Sequence, residues 1–314
     1  MDYKQTRQAF ADALLELGAE NEAVVVLDCD VGRSTKASCF GDVYPHRFIN
    51  CGIQEANMMG LAAGLALEGY IPFATGFGMF VTCRVMDQIR NSIAYPKLNV
   101  KIGATHCGIT VGEDGASHQA IEDIALMRTV PNMTVIAPGD YEEAKLATKA
   151  AAAMDGPVYL RFGRGDYPVV KEIHGNFQIG KARTVRAGTD LTIVTTGTMV
   201  SEVLAAAEML AAQGCSARVV HMPTIKPLDT DMLLQAARET KGIVTVEEHS
   251  IIGGLGEAVC GFLSEHQPTR VKRMGLPDVF GQSGKADALL DHYGLRARHI
   301  VATAWALKTE GRPR

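Results

Sequence analysis

Glu55 carries the clearest chemical potential in this chain. It sits in Gly52-Ile53-Gln54-Glu55-Ala56-Asn57-Met58, at the mouth of the small apolar run Met58-Met59-Gly60-Leu61-Ala62-Ala63-Gly64-Leu65-Ala66-Leu67. Burying an unpaired carboxylate raises its pKa and costs several kcal/mol, roughly, so it persists mainly where a complementary partner meets it. Acids perturbed in this way mark functional sites. The competing reading is an exposed glutamate in the first turn of a helix, favoured by the helix dipole. Three further segments place reactive side chains in or near loops after apolar runs. Thr75-Gly76-Phe77-Gly78-Met79-Phe80 offers an aromatic pair, and Gly112-Glu113-Asp114-Gly115-Ala116-Ser117-His118-Gln119 offers carboxylates with an imidazole. Arg161-Phe162-Gly163-Arg164-Gly165 offers two guanidinium forks, which suit phosphate, another tetrahedral oxyanion such as sulfonate, or a carboxylate. Taken singly, Phe-x-x-Phe is commonly ordinary core and Gly-Glu-Asp-Gly is a good turn.

Together and in this order, Gly52-x-x-Glu55, Phe77-x-x-Phe80 and Gly112 to Gln119 resemble the pyrimidine-binding half of transketolase. The resemblance covers essentially the whole chain. Glu247-Glu248-His249-Ser250-Ile251-Ile252-Gly253-Gly254-Leu255-Gly256 and Asp278-Val279-Phe280-Gly281-Gln282-Ser283-Gly284 look like the family's C-terminal domain. It implies thiamine diphosphate as cofactor and a glutamate that shares a proton with the aminopyrimidine ring, so that the cofactor becomes its own base. Glu55 matches that glutamate, and with His118 it is the expected catalytic pair. Phe77 and Phe80 match an aromatic wall against the pyrimidine, although Cys83 stands where the family often has another aromatic. Asp30, just past the strand ending at Leu27, matches a cofactor-proximal aspartate, while Asp28 could simply order the turn. Ser34 and His106 match groups that contact a sugar phosphate, with a capping hydroxyl as the alternative for Ser34. Asp114 and His118 match residues that bind the donor sugar's hydroxyls, a suitable pairing because each hydroxyl is both donor and acceptor. Arg164, counted from Gly156-Pro157, matches the anion-binding arginine, with Arg161 as a close rival.

A complete transketolase also needs a Gly-Asp-Gly motif that holds magnesium against the diphosphate, and this chain has none. The magnesium ligands are therefore expected on a separate diphosphate-binding subunit, with no metal ligand assigned here. The small residues Ala62-Ala63-Gly64 imply close helix approach across a twofold, in an α2β2 heterotetramer. The implied activity is transfer of a two-carbon ketol unit from an anionic ketose to an aldose. The beta subunits of oxo-acid dehydrogenases and the deoxyxylulose-phosphate synthases share the Gly-x-x-Glu logic, but His106, Asp114 and His118 look more like a sugar site. A non-catalytic subunit of the same fold is the remaining alternative, against which Glu55 argues.

The elements that must position these residues are legible in the apolar pattern. Strand-length runs at 23–27, 70–74, 100–104, 133–137 and 158–161 alternate with longer helix-type segments, which predicts a parallel α/β sheet. A polar, glycine-bearing stretch from Gly165 to about Gly188 breaks the pattern. The pattern restarts with a strand and a glycine turn over 190–200, a helix over 201–212, and strands at 217–220, 242–246 and 300–302. Two α/β domains are expected, a thiamine pyrimidine-binding domain at 1–165 and a transketolase C-terminal-like domain at 188–314, with 166–187 as linker. Gly253-Gly254-Leu255-Gly256 lacks dinucleotide spacing and reads as a tight turn into a helix. At 314 residues and 47% hydrophobic content the chain can bury two ordinary cores. A net charge of −4 gives no electrostatic case for nucleic acid or an anionic membrane. No apolar run reaches about 18 residues and no signal-peptide core opens the chain, so a cytoplasmic location is expected. The seven scattered cysteines lack Cys-x-x-Cys spacing and read as reduced thiols.

Overall fold

The computed structural model describes residues 2–309; position 1 and positions 310–314, the outer ends of the two expected domains, lie outside the described residues. The first unit is a sheet of β1 (Val24–Asp28), β2 (Phe48–Asn50), β3 (Ile71–Phe77), β4 (Lys101–Thr105), β5 (Thr134–Ile136) and β6 (Val158–Arg161). Their spatial order is β5-β6-β4-β3-β1-β2, all parallel. Both faces are covered, which is why the central strands read as continuous apolar runs. Along β1 the side chains alternate. Val24 and Val26 pack with Phe10 and Leu14 of α1 (Thr6–Glu20) and with Ala144 and Ala147 of α3 (Tyr141–Ala153). Val25 and Leu27 pack with Met58, Met59, Ala62 and Ala63 of α2 (Glu55–Leu67).

The second unit is a sheet of β7 (Arg183–Arg186), β8 (Leu191–Thr195), β9 (Ala217–His221), β11 (Ile243–Ser250) and β12 (Val271–Leu276), in the order β12-β11-β8-β9-β7. Only β7 runs antiparallel, against β9. Its core joins Leu191, Ile193, Val203, Val219 and Val244 to α4 (Val200–Ala212) and α6 (Ala297–Thr309). The units interlock: β10 (Thr224–Lys226) leaves the second and pairs antiparallel with β5 at the edge of the first sheet. The core around α2 likewise continues through Val194, Val220 and Leu255. The segment 166–187 carries ladder residues near both ends. Tyr167–Pro168 pairs with Tyr3–Lys4, and β7 begins the second sheet.

The strand expected at 300–302 is absent, because those residues lie inside α6. Ile300, Val301, Ala304 and Leu307 are buried at helical spacing, and that period outweighs the local β preference of an Ile-Val pair. Four strands carried too weak a signal to be expected: β2, β7 and β10 are three or four residues long, and β12 is only partly buried, with Lys272 and Arg273 inside it. The Gly253-Gly254 turn opens α5 (Leu255–His266), with Gly253 at φ +76° and Glu247 accepting the amides of Leu255 and Gly256 at 2.7 and 2.8 Å. All seven cysteines are free thiols.

Candidate active site

Parallel strands bind ligands beyond their carboxyl ends. Asp28–Ser34, Phe77–Phe80, Thr105–His118 and Arg161–Arg164 follow the carboxyl ends of the neighbouring strands β1, β3, β4 and β6. One sheet edge thus gathers segments far apart in sequence.

Glu55 is the first residue of α2, yet it is buried rather than exposed. Its one side-chain partner among the described residues is Arg84, whose Nη1 donates to Oε2 at 2.9 Å. The Arg84 guanidinium in turn lies 4.5 Å from the Phe80 ring centroid. Phe80 meets the His118 ring edge-on at 5.2 Å, and Phe77 contacts His106 at 4.1 Å, His118 at 6.3 Å and Phe80 at 6.4 Å. Phe80, His118, Phe77 and His106 therefore form one contiguous group, and Arg84 joins Glu55 to it.

Beyond His106 the surface becomes cationic. Arg7 Nη1 approaches His106 Nε2 at 3.3 Å and donates to the Ser34 carbonyl at 2.9 Å. A guanidinium only donates, so Nε2 is the acceptor and the proton of a neutral ring is assigned to Nδ1, which donates to Thr105 Oγ1 at 2.9 Å. Burial first, then the charges of Arg7 and Arg164, hold His106 at a pKa of about 3, so the ring is neutral near pH 7. Arg7 is itself pushed down, by burial and by Arg164. Ser34 lends its carbonyl to Arg7, and its side chain lies on the exposed rim.

Arg164 donates to the Val111 carbonyl and lies 3.5 Å from Asp114 and 3.9 Å from Glu113. Arg161, its rival in sequence, is buried: Nε donates to Asp123 at 2.7 Å, and Nη2 to the carbonyl of Glu248 at 2.9 Å. It takes no part in the cluster. Asp114 is exposed, while His118 is half-buried with Nδ1 at 2.9 Å from Ser117 Oγ. Asp30, at φ +64°, accepts from Asn50 Nδ2 at 3.0 Å on the rim. Asp28 orders the turn, accepting the amides of Val31 and Gly32 at 3.0 Å each.

The second unit braces this surface. Glu248 accepts from the Thr110 amide at 2.7 Å and its hydroxyl at 2.8 Å, and a Cβ on Gly108 would come within 2.2 Å of that carboxylate. Gln119 Nε2 donates to the carbonyls of Ile109, Gly112 and Gln282, tying the Gly112–Gln119 loop to the second unit. Sequence reasoning missed Arg7, Arg84 and Glu248 as parts of the site. A signal existed for Arg7, a cation in the first turn of α1, where the dipole disfavours positive charge. For Arg84 the signal was its position four residues after Phe80. Nothing local distinguishes Glu248 from its neighbour Glu247.

The model for the transketolase pyrimidine-binding domain matches residues 2–170, and that for the transketolase C-terminal domain matches residues 180–300. The chain belongs to the transketolase family. It is 49% identical over 302 residues to a Methanocaldococcus jannaschii protein named as a transketolase C-terminal section, with 95% of each chain covered. It is 41% identical to a Clostridium 6-deoxy-6-sulfo-D-fructose transketolase subunit, covering 95% of this chain and 92% of that one. Among solved structures, a split gene transketolase described as an inactive β4 tetramer superposes with a TM-score of 0.92 at 50% identity, covering 98% of this chain and 99% of that one. Transketolase membership implies dependence on thiamine diphosphate, and the residues fit its aminopyrimidine: a buried acid whose side-chain partner is a planar N–H donor lying over an aromatic ring. Among the described residues, no three His, Cys, Asp or Glu side chains gather as metal ligands, and no helix is long and apolar enough to cross a membrane.

Proposed function

We propose that this chain is the C-terminal subunit of a split transketolase, transferring a two-carbon ketol unit from an anionic ketose to an aldose once a separate diphosphate-binding subunit completes the site. The observation that carries the reading is the continuous chain of contacts from Glu55 through Arg84, Phe80, His118, Phe77 and His106 to Arg7. An acid, an aromatic wall, hydroxyl-binding groups and a cationic end follow one another there, as cofactor, sugar and terminal anion would require. Thiamine diphosphate, when bound, supplies a nucleophilic carbon and an electron sink for cleavage beside a ketose carbonyl. Glu55 would share a proton with a ring nitrogen, Phe77 and Phe80 would orient the ring, and Asp30 is assigned to the cofactor's surroundings. Asp114 and His118 bind sugar hydroxyls, with His118 moving a proton at the reacting hydroxyl. Arg164, His106 and Ser34 take the anion, and Arg7 joins them.

A sulfonated sugar in the name of the Clostridium relative supports a tetrahedral oxyanion at that end, and phosphate has the same geometry. The β4 assembly described as inactive in the solved relative supports dependence on a partner. Magnesium ligands are assigned to that partner, the assembly to an α2β2 heterotetramer, and the location to the cytoplasm. The test is ketol transfer by the chain with and without a Gly-Asp-Gly-bearing subunit, offered phosphorylated, sulfonated and uncharged ketoses. Transfer only with the partner, and preference for the charged donors, is expected. Turnover by the chain alone, with partner excluded by mass spectrometry, overturns the split reading, and decarboxylation of an oxo acid instead of ketol transfer moves the chain to the alternative thiamine enzymes.

A further inference from the structure

Arg84 is tied to two residues at once. Its Nη1 donates to Glu55 Oε2 at 2.9 Å, and its guanidinium carbon lies 4.5 Å from the centroid of Phe80. The two ends of the ion pair differ sharply in exposure: the Glu55 side chain is 6% exposed and that of Arg84 is 51% exposed. A guanidinium is planar, delocalised, attracted to an aromatic face, and a donor to carboxylates along its edge. A pyrimidine ring held by an acid and an aromatic wall would occupy the same carboxyl edge of Glu55 and the same face of Phe80. Glu55 also has no other side-chain partner among the described residues, so the buried carboxylate depends on whichever group is there. Arg84, by contrast, reaches in from solvent and can return to it, and the water-facing part of such a pair is held weakly.

We propose that Arg84 is a stand-in for the cofactor's aminopyrimidine, compensating Glu55 and covering Phe80 until the cofactor displaces it toward solvent. The proposal rests on Glu55 being the residue that meets the pyrimidine. The exchange keeps a buried acid from standing uncompensated in the free subunit, and it weakens cofactor binding, because only the fraction of molecules with Arg84 swung out is competent. Arg84 is thus a residue of the cofactor site whose effect is felt in affinity and in the stability of the free chain, rather than in the chemical step.

The test uses the full chain as wild type, Arg84→Met, Glu55→Gln and the double variant. Each is titrated with 4-amino-5-hydroxymethyl-2-methylpyrimidine by ligand-observed NMR and melted with and without it. Arg84→Met keeps an apolar stem but removes the donors and the charge. It should tighten the dissociation constant about tenfold while lowering the melting temperature of the unliganded chain. Glu55→Gln should weaken binding in both backgrounds and abolish the destabilisation caused by Arg84→Met, because the buried charge is gone. Arg84→Lys, which keeps the charge and loses the planar face, should bind with intermediate affinity, and it serves as the test if the methionine variant fails to fold. Binding no tighter in Arg84→Met than in wild type, including binding undetectable in both, overturns the stand-in. If Glu55→Gln still weakens binding in that case, the assignment of Glu55 survives. If Glu55→Gln leaves binding unchanged, the Glu55 assignment fails and takes the proposal with it.

Discussion

At the scale of single residues, the proposed roles divide the site into groups that would activate the cofactor and groups that would read the sugar, and substitution should separate them. Glu55→Gln is nearly isosteric but cannot share an acidic proton, so ketol transfer should fall by about 10²–10⁴-fold. Exchange of the thiazolium proton for deuterium should slow with it. Asp114→Ala and His118→Ala should leave that exchange intact and impair use of the donor sugar. Wild-type exchange in cofactor-saturated Glu55→Gln would refute the assignment. His106 makes a separate prediction about pH. Burial, with Arg7 and Arg164 alongside, holds its pKa at about 3, below its ordinary value of 6.5. Between those values the unfolded chain binds the proton that the folded chain refuses. The stability is therefore fully present above about pH 6.5 and is lost as pH falls toward 3, at up to ~1.4 kcal/mol per pH unit. Melting curves from pH 7 to pH 4 should fall less steeply for His106→Gln than for wild type; equal slopes would place the acid sensitivity elsewhere.

At the scale of elements, the Gly112–Gln119 loop owes its shape to groups outside itself. Glu248, on β11 of the second unit, accepts two hydrogen bonds from Thr110 just ahead of the loop. Glu248→Ala removes the acceptor and leaves the buried Thr110 donors without it, at a cost of about 1–3 kcal/mol. The expected outcome is faster amide hydrogen exchange over residues 109–114 and a raised KM for the donor sugar with kcat largely kept. Unchanged protection there would show that the loop holds itself. Within the first sheet, β1, β3, β4 and β6 were legible to within three residues at either end because they are buried on both faces and are mostly apolar, whereas the short β2 was not. Lys101 is the instructive exception. It is buried in β4 and donates to the carbonyls of Met154 and Gly156 at 2.7 Å each, while burial lowers its pKa to about 7. Its neighbours Val100 and Ile102 kept the strand readable even so.

At the scale of the whole molecule, α2 presents an outer face of small and apolar residues. Ile53, just ahead of the helix, and Leu61 and Leu67 within it are exposed, and a Cβ added at Gly60 or Gly64 would meet nothing within 4 Å. Gly64→Leu should consequently fold at least as well as wild type, since glycine in a helix interior costs up to ~1 kcal/mol relative to better helix formers. It should nonetheless block close approach of a second helix and dissociate the assembly in light scattering. An oligomer of unchanged mass would place the interface elsewhere. With its partner, the wild-type chain should give the mass of an α2β2 heterotetramer, and a stable one-to-one heterodimer would contradict that arrangement.

The sequence by itself determined the fold class, and it nominated Glu55, Phe77, Phe80, Asp114 and His118 for the proposed site, because those residues sit in contiguous motifs whose spacing survives any packing. Glu55 at the head of a helix was only the competing reading of the sequence, and the structure combines that position with burial. Tertiary structure alone decided what depends on distance between remote segments. Arg161 and Arg164 are chemically equal in the sequence, and only the burial of Asp123 beside β6 withdraws the first and leaves the second at the site. Arg7 joins His106 and Arg84 joins Glu55 across spans of 99 and 29 residues, and Glu248 reaches Thr110 across 138. No local pattern encodes such pairings, because each is made by the sheet order and by the packing of one unit on the other.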